Sequence, residues 1–278
     1  IIIIKIIIKI IAIILGPSGI ALIGQLNNFA TIVMAISTAG INQGVTKYIS
    51  ENRVRKEEIN KLVGTAFTLT LFFSIFCGII LVTFHKFWAV LILKSEEYSY
   101  VFLVFGLVVF FYALNNLLLS ILNGFKLYKQ YVVINIINSV LGLFFTITLV
   151  YFWELKGALI SLISYQSTMF FITIWILRKK YWISFLKFKD KYNKQIAKKY
   201  FQYTLMALTT AITVPVSQLF IRSYVIKNIS ITEAGYWEAM NKLSSMYLMI
   251  ITSSLAVYFL PKLAELKTNL SFICQLRT

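Results

Sequence analysis

A chain of 278 residues that is 59% hydrophobic and 13% charged, with a mean hydropathy of +0.80, lies far outside the composition of a soluble globular domain. Its formal net charge of +17 does not point to nucleic acid, because the basic residues gather in short stretches between long apolar runs, as membrane loops do. Cys77 and Cys274 show no CxxC spacing and His85 is the one histidine, so disulfide frameworks, His/Cys metal sites and cofactors are not expected.

The chain opens on IIIIKIIIKII, with no initiator methionine and no signal-peptide pattern, and is read as starting inside a longer protein. Windows of ~20 apolar residues predict eight spanning segments. They lie near 1–15, 19–41, 62–84, 101–122, 131–153, 157–177, 201–225 and 234–258, the first truncated. The runs are continuous and lack the alternation of a barrel strand, so an all-α polytopic membrane protein is the expected fold class.

Positive residues resist translocation and therefore orient the helices. Loops 2–3, 4–5 and 6–7 hold sixteen Lys and Arg, among them Lys47, Lys61, Lys126, Lys129 and Arg178; the opposite loops hold five. The basic loops are predicted to be cytoplasmic. Trp88, Trp153, Trp175, Trp182 and Trp237 all fall near predicted helix ends, where amphipathic rings meet headgroups. Residues 178–200 form the longest basic loop and read as a cytoplasmic linker between a six-helix lobe, 1–177, and the start of a second lobe, 201–278. Placing Gly19 over Gly235 sets Gln25 against Asn241 and Asn28 against Ser244, a weak sign of duplicated lobes, for which chance similarity is the competing account.

Several predicted helices carry polar faces. In YWEAMNKLSSMYLMI, Glu238, Asn241, Lys242 and Ser245 recur at i, i+3, i+4 and i+7, so all four share one side of a helix. Comparable stripes are Gln25 with Asn28, Asn115 with Asn116 and Asn123, Asn135 with Asn138 and Ser139, and Thr210 with Thr213 and Ser217. Charge in hydrocarbon costs at least ~2.5 kcal/mol at a helix centre, so Glu238 and Lys242 need a partner, water or a function. Interhelical hydrogen bonding and a snorkelling ion pair remain open readings; a hydrated central cavity accounts better for the number of stripes. Gln218 and Arg222 form an i, i+4 pair, Lys5 and Lys9 share a face, and Pro215 is a candidate hinge.

LGPSGIALIGQLNNFATIV, then STAGINQGVTKYISE, then FQYTLMALTTAITVPVSQLFIRSYV and AGYWEAMNKLSSMYLMIITSSLAVYFLPKL resemble the corresponding segments of bacterial O-antigen and lipid III flippases. Those Wzx-type translocases belong to the multidrug, oligosaccharidyl-lipid and polysaccharide exporter superfamily. The resemblance covers nearly the whole chain. It implies a two-lobed exporter of about twelve helices around a central cavity, of which eight are present, in the bacterial inner membrane. It further implies movement of an undecaprenyl-pyrophosphate-linked oligosaccharide, such as an O-antigen or enterobacterial common antigen-like unit, to the periplasmic leaflet by alternating access. The lipid-linked glycan, membrane lipids and a polysaccharide polymerase machinery are the partners implied; nucleic acid is not one.

Carried over residue by residue, Lys9 matches a lysine before the GPSG turn, Lys47 the lysine of GVTKY, and Arg222 the arginine after the seventh-helix proline. Glu238 and Lys242 match no charged residues of that family. Together with Gln25, Asn28, Asn241 and Ser245 these are the expected substrate-binding residues, and no catalytic residue is expected. Three rivals stay open: a cation-coupled drug antiporter or peptidoglycan-precursor flippase of the same superfamily, a membrane glycosyltransferase or acyltransferase using His85 or Glu154, and a membrane scaffold.

Overall fold

Apolar runs this long can satisfy their backbone in lipid only as helices, and no strand occurs among the described residues. The computed structural model describes residues 2–52, 55–178 and 192–266. In chain order the helices are α1 (Ile2–Ser37), α2 (Asn42–Glu51), α3 (Lys56–Thr83), α4 (His85–Leu93), α5 (Ser99–Gly124), α6 (Tyr128–Leu177), α7 (Lys194–Asn228) and α8 (Ile231–Leu266). Five stretches are long and apolar enough to cross a membrane: Leu15–Ser37, Glu57–Thr83, Glu96–Gly124, Tyr128–Leu177 and Lys194–Asn228. The protein is a multi-pass, all-helical membrane protein.

Two of these helices are broken by one residue each. Gly16 (φ 63°, ψ −174°) turns α1 just before Pro17, whose fixed φ and missing N–H suit the first position of a new helical arm. Glu154 (φ 46°, ψ −123°) breaks α6. A β-carbon on Gly157 would lie 1.9 Å from the Leu149 carbonyl oxygen, and one on Gly142 would meet the Tyr165 ring at 2.9 Å, so the two arms of α6 fold back antiparallel. The arms, 128–153 and 155–177, are about 39 and about 35 Å long at 1.5 Å per residue, enough for a hydrocarbon core of ~30 Å.

Helix reversals therefore sort the chain into two ends. One end carries Gly16, the Glu154 turn, the Glu97–Lys156 ion pair at 2.7 Å and the α7–α8 junction. The other carries α2, Gly124, Lys126 and the start of α7, where Asn193 caps the helix by accepting from the backbone N–H groups of Gln195 and Ile196. Each end has its own core. Leu26, Phe29, Leu81, Phe102 and Phe105 fill the first, with Trp88 against Phe29 at 5.0 Å between ring centroids; Ile41, Ile49, Ile121, Ile134 and Tyr200 fill the second. Between α3 and α5, Gly78 and Gly106 face each other so closely that a β-carbon on either would sit 2.7–2.8 Å from the other's carbonyl oxygen. Small residues allow that approach, and packing contacts replace the absent hydrophobic drive between helices in lipid.

The predicted segments fall on these helices with two corrections. The stretch read as one segment over 19–41 ends at Ser37; Ala39 and Gly40 take positive φ (52° and 61°) and the chain enters a separate helix, α2, in what was read as a loop. Likewise α4 occupies the loop expected after residue 84, with Ala89, Ile92 and Leu93 buried. Both are too short for a search for ~20-residue apolar windows; α2 is amphipathic, whereas α4 is apolar on both faces, with Phe87, Val90 and Leu91 exposed. Residues 179–191 of the linker and 267–278 of the second lobe lie outside the described residues.

Candidate functional site: a polar cavity and a buried ion pair

At the first end, α1, α7 and α8 meet in a charged cluster. Arg222 on α7 is fully buried, and its guanidinium donates to the Glu238 carboxylate on α8 and, at 3.1 Å, to Gln25 Oε1 on α1. The amide orientation that satisfies Asn28 has its oxygen accepting from the same guanidinium at 3.2 and 3.3 Å. Lys242 Nζ approaches the other Glu238 oxygen at 3.6 Å, and the Trp237 ring lies 5.4 Å from the guanidinium carbon. Gln25 also donates to Ser223 Oγ at 2.8 Å, and Asn241 donates to Gln218 Oε1 at 2.7 Å. Arginine suits such a knot because its planar fork serves several acceptors at once.

Helical spacing is what assembles it. Gln218 and Arg222 lie one turn apart on α7, and Glu238, Asn241, Lys242 and Ser245 share one side of α8. Gly235 permits the approach: a β-carbon there would lie 1.9 Å from the Pro17 carbonyl oxygen, so α8 rests against the start of the second α1 arm. The cluster holds two cations and one anion.

The other end is open. A cavity of about 530 Å³ runs between α1, α5, the second arm of α6 and α7, reaching Asn27, Tyr112, Tyr165 and Thr210. It shares Asn42, Gln43 and Gln166 with a second recess of about 600 Å³ between α2, α5 and the first arm of α6, lined by Lys47 and several asparagines. Either volume alone is that of a drug-sized ligand site. Lys47, exposed at the mouth, donates to Tyr203 Oη at 2.5 Å and lies 3.9 Å from Glu51. That hydrogen bond to Tyr203, ahead of the attraction of Glu51, raises the Lys47 pKa above its ordinary value.

A family model described as polysaccharide biosynthesis protein matches residues 2–267. The chain belongs to that family. Among its relatives, the lipid III flippases of Escherichia coli (strain K12) and Shigella flexneri are each 27% identical over 258 residues, 93% of this chain and 62% of theirs. The chain thus spans less than two thirds of the length of these curated relatives. A solved structure, the inward-facing conformation of a multidrug resistance MATE family transporter of the MOP superfamily, matches with a TM-score of 0.68 at 16% identity, covering 84% of this chain and 55% of that one. At that identity the likeness is one of fold. The flippase resemblance read from the GPSG, GVTKY and helix-seven segments holds at family level.

Within this family member the nine expected binding residues divide. Gln25, Asn28, Arg222, Glu238 and Lys242 are joined in the charged cluster, with Asn241 beside them on Gln218. Ser245 is exposed and donates to the Asn241 carbonyl at 2.7 Å. Lys47 lines the open cavity. Lys9 lies on α1, with its side chain outside the described residues. Pro215 sits inside an α7 that continues from Lys194 to Asn228. Sequence reasoning did not single out Asn42, Gln43, Gln166 or Tyr203. The signal for the first two was present: Asn42, Gln43, Thr46, Lys47 and Ser50 repeat at helical spacing on α2.

Proposed function

We propose that the chain is the first lobe and part of the second lobe of a two-lobed flippase in the bacterial inner membrane, with eight crossings in the described portion of the fold. It carries an undecaprenyl-pyrophosphate-linked oligosaccharide, of the O-antigen or enterobacterial common antigen-like kind, from the cytoplasmic to the periplasmic leaflet. One observation carries the reading. Two adjoining amide-lined recesses, which share Asn42, Gln43 and Gln166, open at the end that carries α2, Lys126 and the start of α7, and the opposite end is closed by Arg222, Glu238 and Gln25 from three helices.

Such an arrangement supports alternating access. With the basic end cytoplasmic, the diphosphate meets Lys47 first, the glycan enters the polar cavity, and the prenyl chain stays in lipid. Outward opening then requires α7 and α8 to separate from α1, which breaks the cluster and uncovers Arg222 and Lys242 toward the anion; Pro215 is the candidate hinge for that movement. Residues 1–177 form the first lobe, 178–200 the linker, and 201–278 enter the second. A polymerase that consumes the delivered unit is the expected downstream partner.

The rivals fit less well. A drug-cation antiporter calls for an accessible carboxylate, whereas Glu238 is buried between two cations. A transferase would use His85 or Glu154, which lie at helix boundaries away from the cavity. The test is reconstitution of the protein, expressed from its native gene, in proteoliposomes with defined lipid-linked glycans. Leaflet transfer above that of protein-free vesicles is expected; no transfer, alongside an active control flippase, overturns the reading.

A further inference from the structure

The recess between α2, α5 and the first arm of α6 is built largely from asparagine. Asn42 comes from α2, Asn115, Asn116 and Asn123 from α5, and Asn135 and Asn138 from α6. A buried amide oxygen left unpaired is costly, so ordinary packing does not collect several of them in one place. Here Oδ1 of Asn42, Asn115 and Asn138 has no hydrogen-bond partner, and Asn115 is only 5% exposed. The amide nitrogens of Asn116 and Asn135 are committed to the carbonyls of Tyr112 and Tyr131, at 3.2 and 2.8 Å, which leaves their oxygens as the free ends. The lining therefore holds buried acceptors that no protein donor meets.

One ammonium, Lys47, and no carboxylate lines this recess; the nearest carboxylate, exposed Glu51, lies outside the lining at 3.9 Å from that ammonium. Acceptors alone would also suit a cation, but the lysine opposes one. The complementary ligand carries many O–H and N–H donors on an uncharged body and negative charge near the mouth. We infer that this recess is the carbohydrate subsite: its asparagine oxygens accept from sugar hydroxyls and acetamido N–H groups while the diphosphate remains at Lys47. The inference rests on the flippase reading and adds which helices hold the glycan and through which atoms. It places the sugar inside the first lobe, away from the α7–α8 cluster.

The experiment compares two probes, undecaprenyl pyrophosphate and undecaprenyl-pyrophosphoryl-N-acetylglucosamine, by equilibrium binding to the purified protein expressed from its native gene. Asn135 and Asn138 are half-buried, so Asn135→Leu with Asn138→Leu is the main variant, and the milder Asn138→Ser serves if that pair does not fold. The leucine pair is expected to weaken the glycosylated probe about tenfold and the serine variant about threefold, each lost acceptor being worth ~0.5–1.5 kcal/mol, with undecaprenyl pyrophosphate unchanged. Lys47→Ala is expected to weaken both probes. Equal loss on both probes, or no loss on either, in the asparagine variants overturns the carbohydrate subsite and leaves the flippase reading standing. Wild-type protein that binds neither probe overturns both.

Discussion

A β-carbon on Gly24 of α1 would lie 2.7 Å from the carboxyl carbon of Glu238 on α8. The carboxylate thus rests on bare backbone, one residue before the Gln25 that shares its arginine. Gly24→Ala must displace a group that Arg222 holds in place, and overpacking of this kind costs typically ~1–3 kcal/mol. Thermal unfolding in detergent should show that loss in the wild-type background. In a Glu238→Ala background the added methyl enters vacated space, and the further loss should be close to zero. Equal losses in both backgrounds would mean that the Gly24–Glu238 contact is not the cause.

Lys47 gives a prediction with a definite sign. Its hydrogen bond to Tyr203 raises its pKa above the ordinary value. A raised lysine pKa means that the stabilisation is fully present below the unfolded value, near ~10.4, and is lost as pH rises through the folded value. The mouth should therefore keep its charge, and a flat affinity for anions, between about pH 6 and 9. Titration of reductively 13C-methylated lysines by NMR should move the Lys47 midpoint downward in Tyr203→Phe. An unmoved midpoint would show that the Tyr203 bond does not form in solution.

Orientation can be tested at two lysines that both adopt left-handed backbone, Lys94 (φ 60°) and Lys126 (φ 58°), at opposite ends of the bundle. With Cys77 and Cys274 replaced, an impermeant thiol reagent on intact cells should label Lys94→Cys and spare Lys126→Cys. The reverse pattern would place the open cavity outside and invert the direction of access.

Helix positions were legible in the sequence because hydrocarbon thickness imposes a length that apolar runs reveal directly, down to the break between 153 and 157 that the structure places at Glu154. The shared face of Glu238, Asn241 and Lys242 was legible from spacing alone. Its partner was not. Spacing fixes a face but says nothing about which of seven other helices it meets, so the pairing of Glu238 with Arg222 and Gln25 required the tertiary arrangement. Nor could periodicity tell an asparagine facing a cavity from one bonding a neighbouring helix; Asn115 and Asn138 were seen as stripes, and only the packing of α2 against α5 gives them a common space.

Arg222 and Glu238 yield the sharpest prediction, because removing one partner of a buried pair strands the other charge. Arg222→Ala and Glu238→Ala should each lower stability by about 3–5 kcal/mol, and the exchanged pair, Arg222→Glu with Glu238→Arg, should recover part of that loss. Partial recovery is expected because Gln25 and Asn28 are set to accept from position 222 and not from 238. Function should follow the same order at equal membrane abundance: Arg222→Lys keeps partial transport, Arg222→Ala loses most of it, and Arg222→Glu abolishes it, since lysine retains the charge but not the fork. A structural filler and a closing contact differ in one readout. Ala234 of α8 is fully buried beside the Gly235 that rests on α1, so Ala234→Cys should be shielded from external thiol reagent in the wild-type background and labelled once Arg222→Ala frees α8 from α1. Transport at wild-type level by the alanine and glutamate variants, with Ala234→Cys still shielded, would reduce the pair to packing and remove it from the transport cycle.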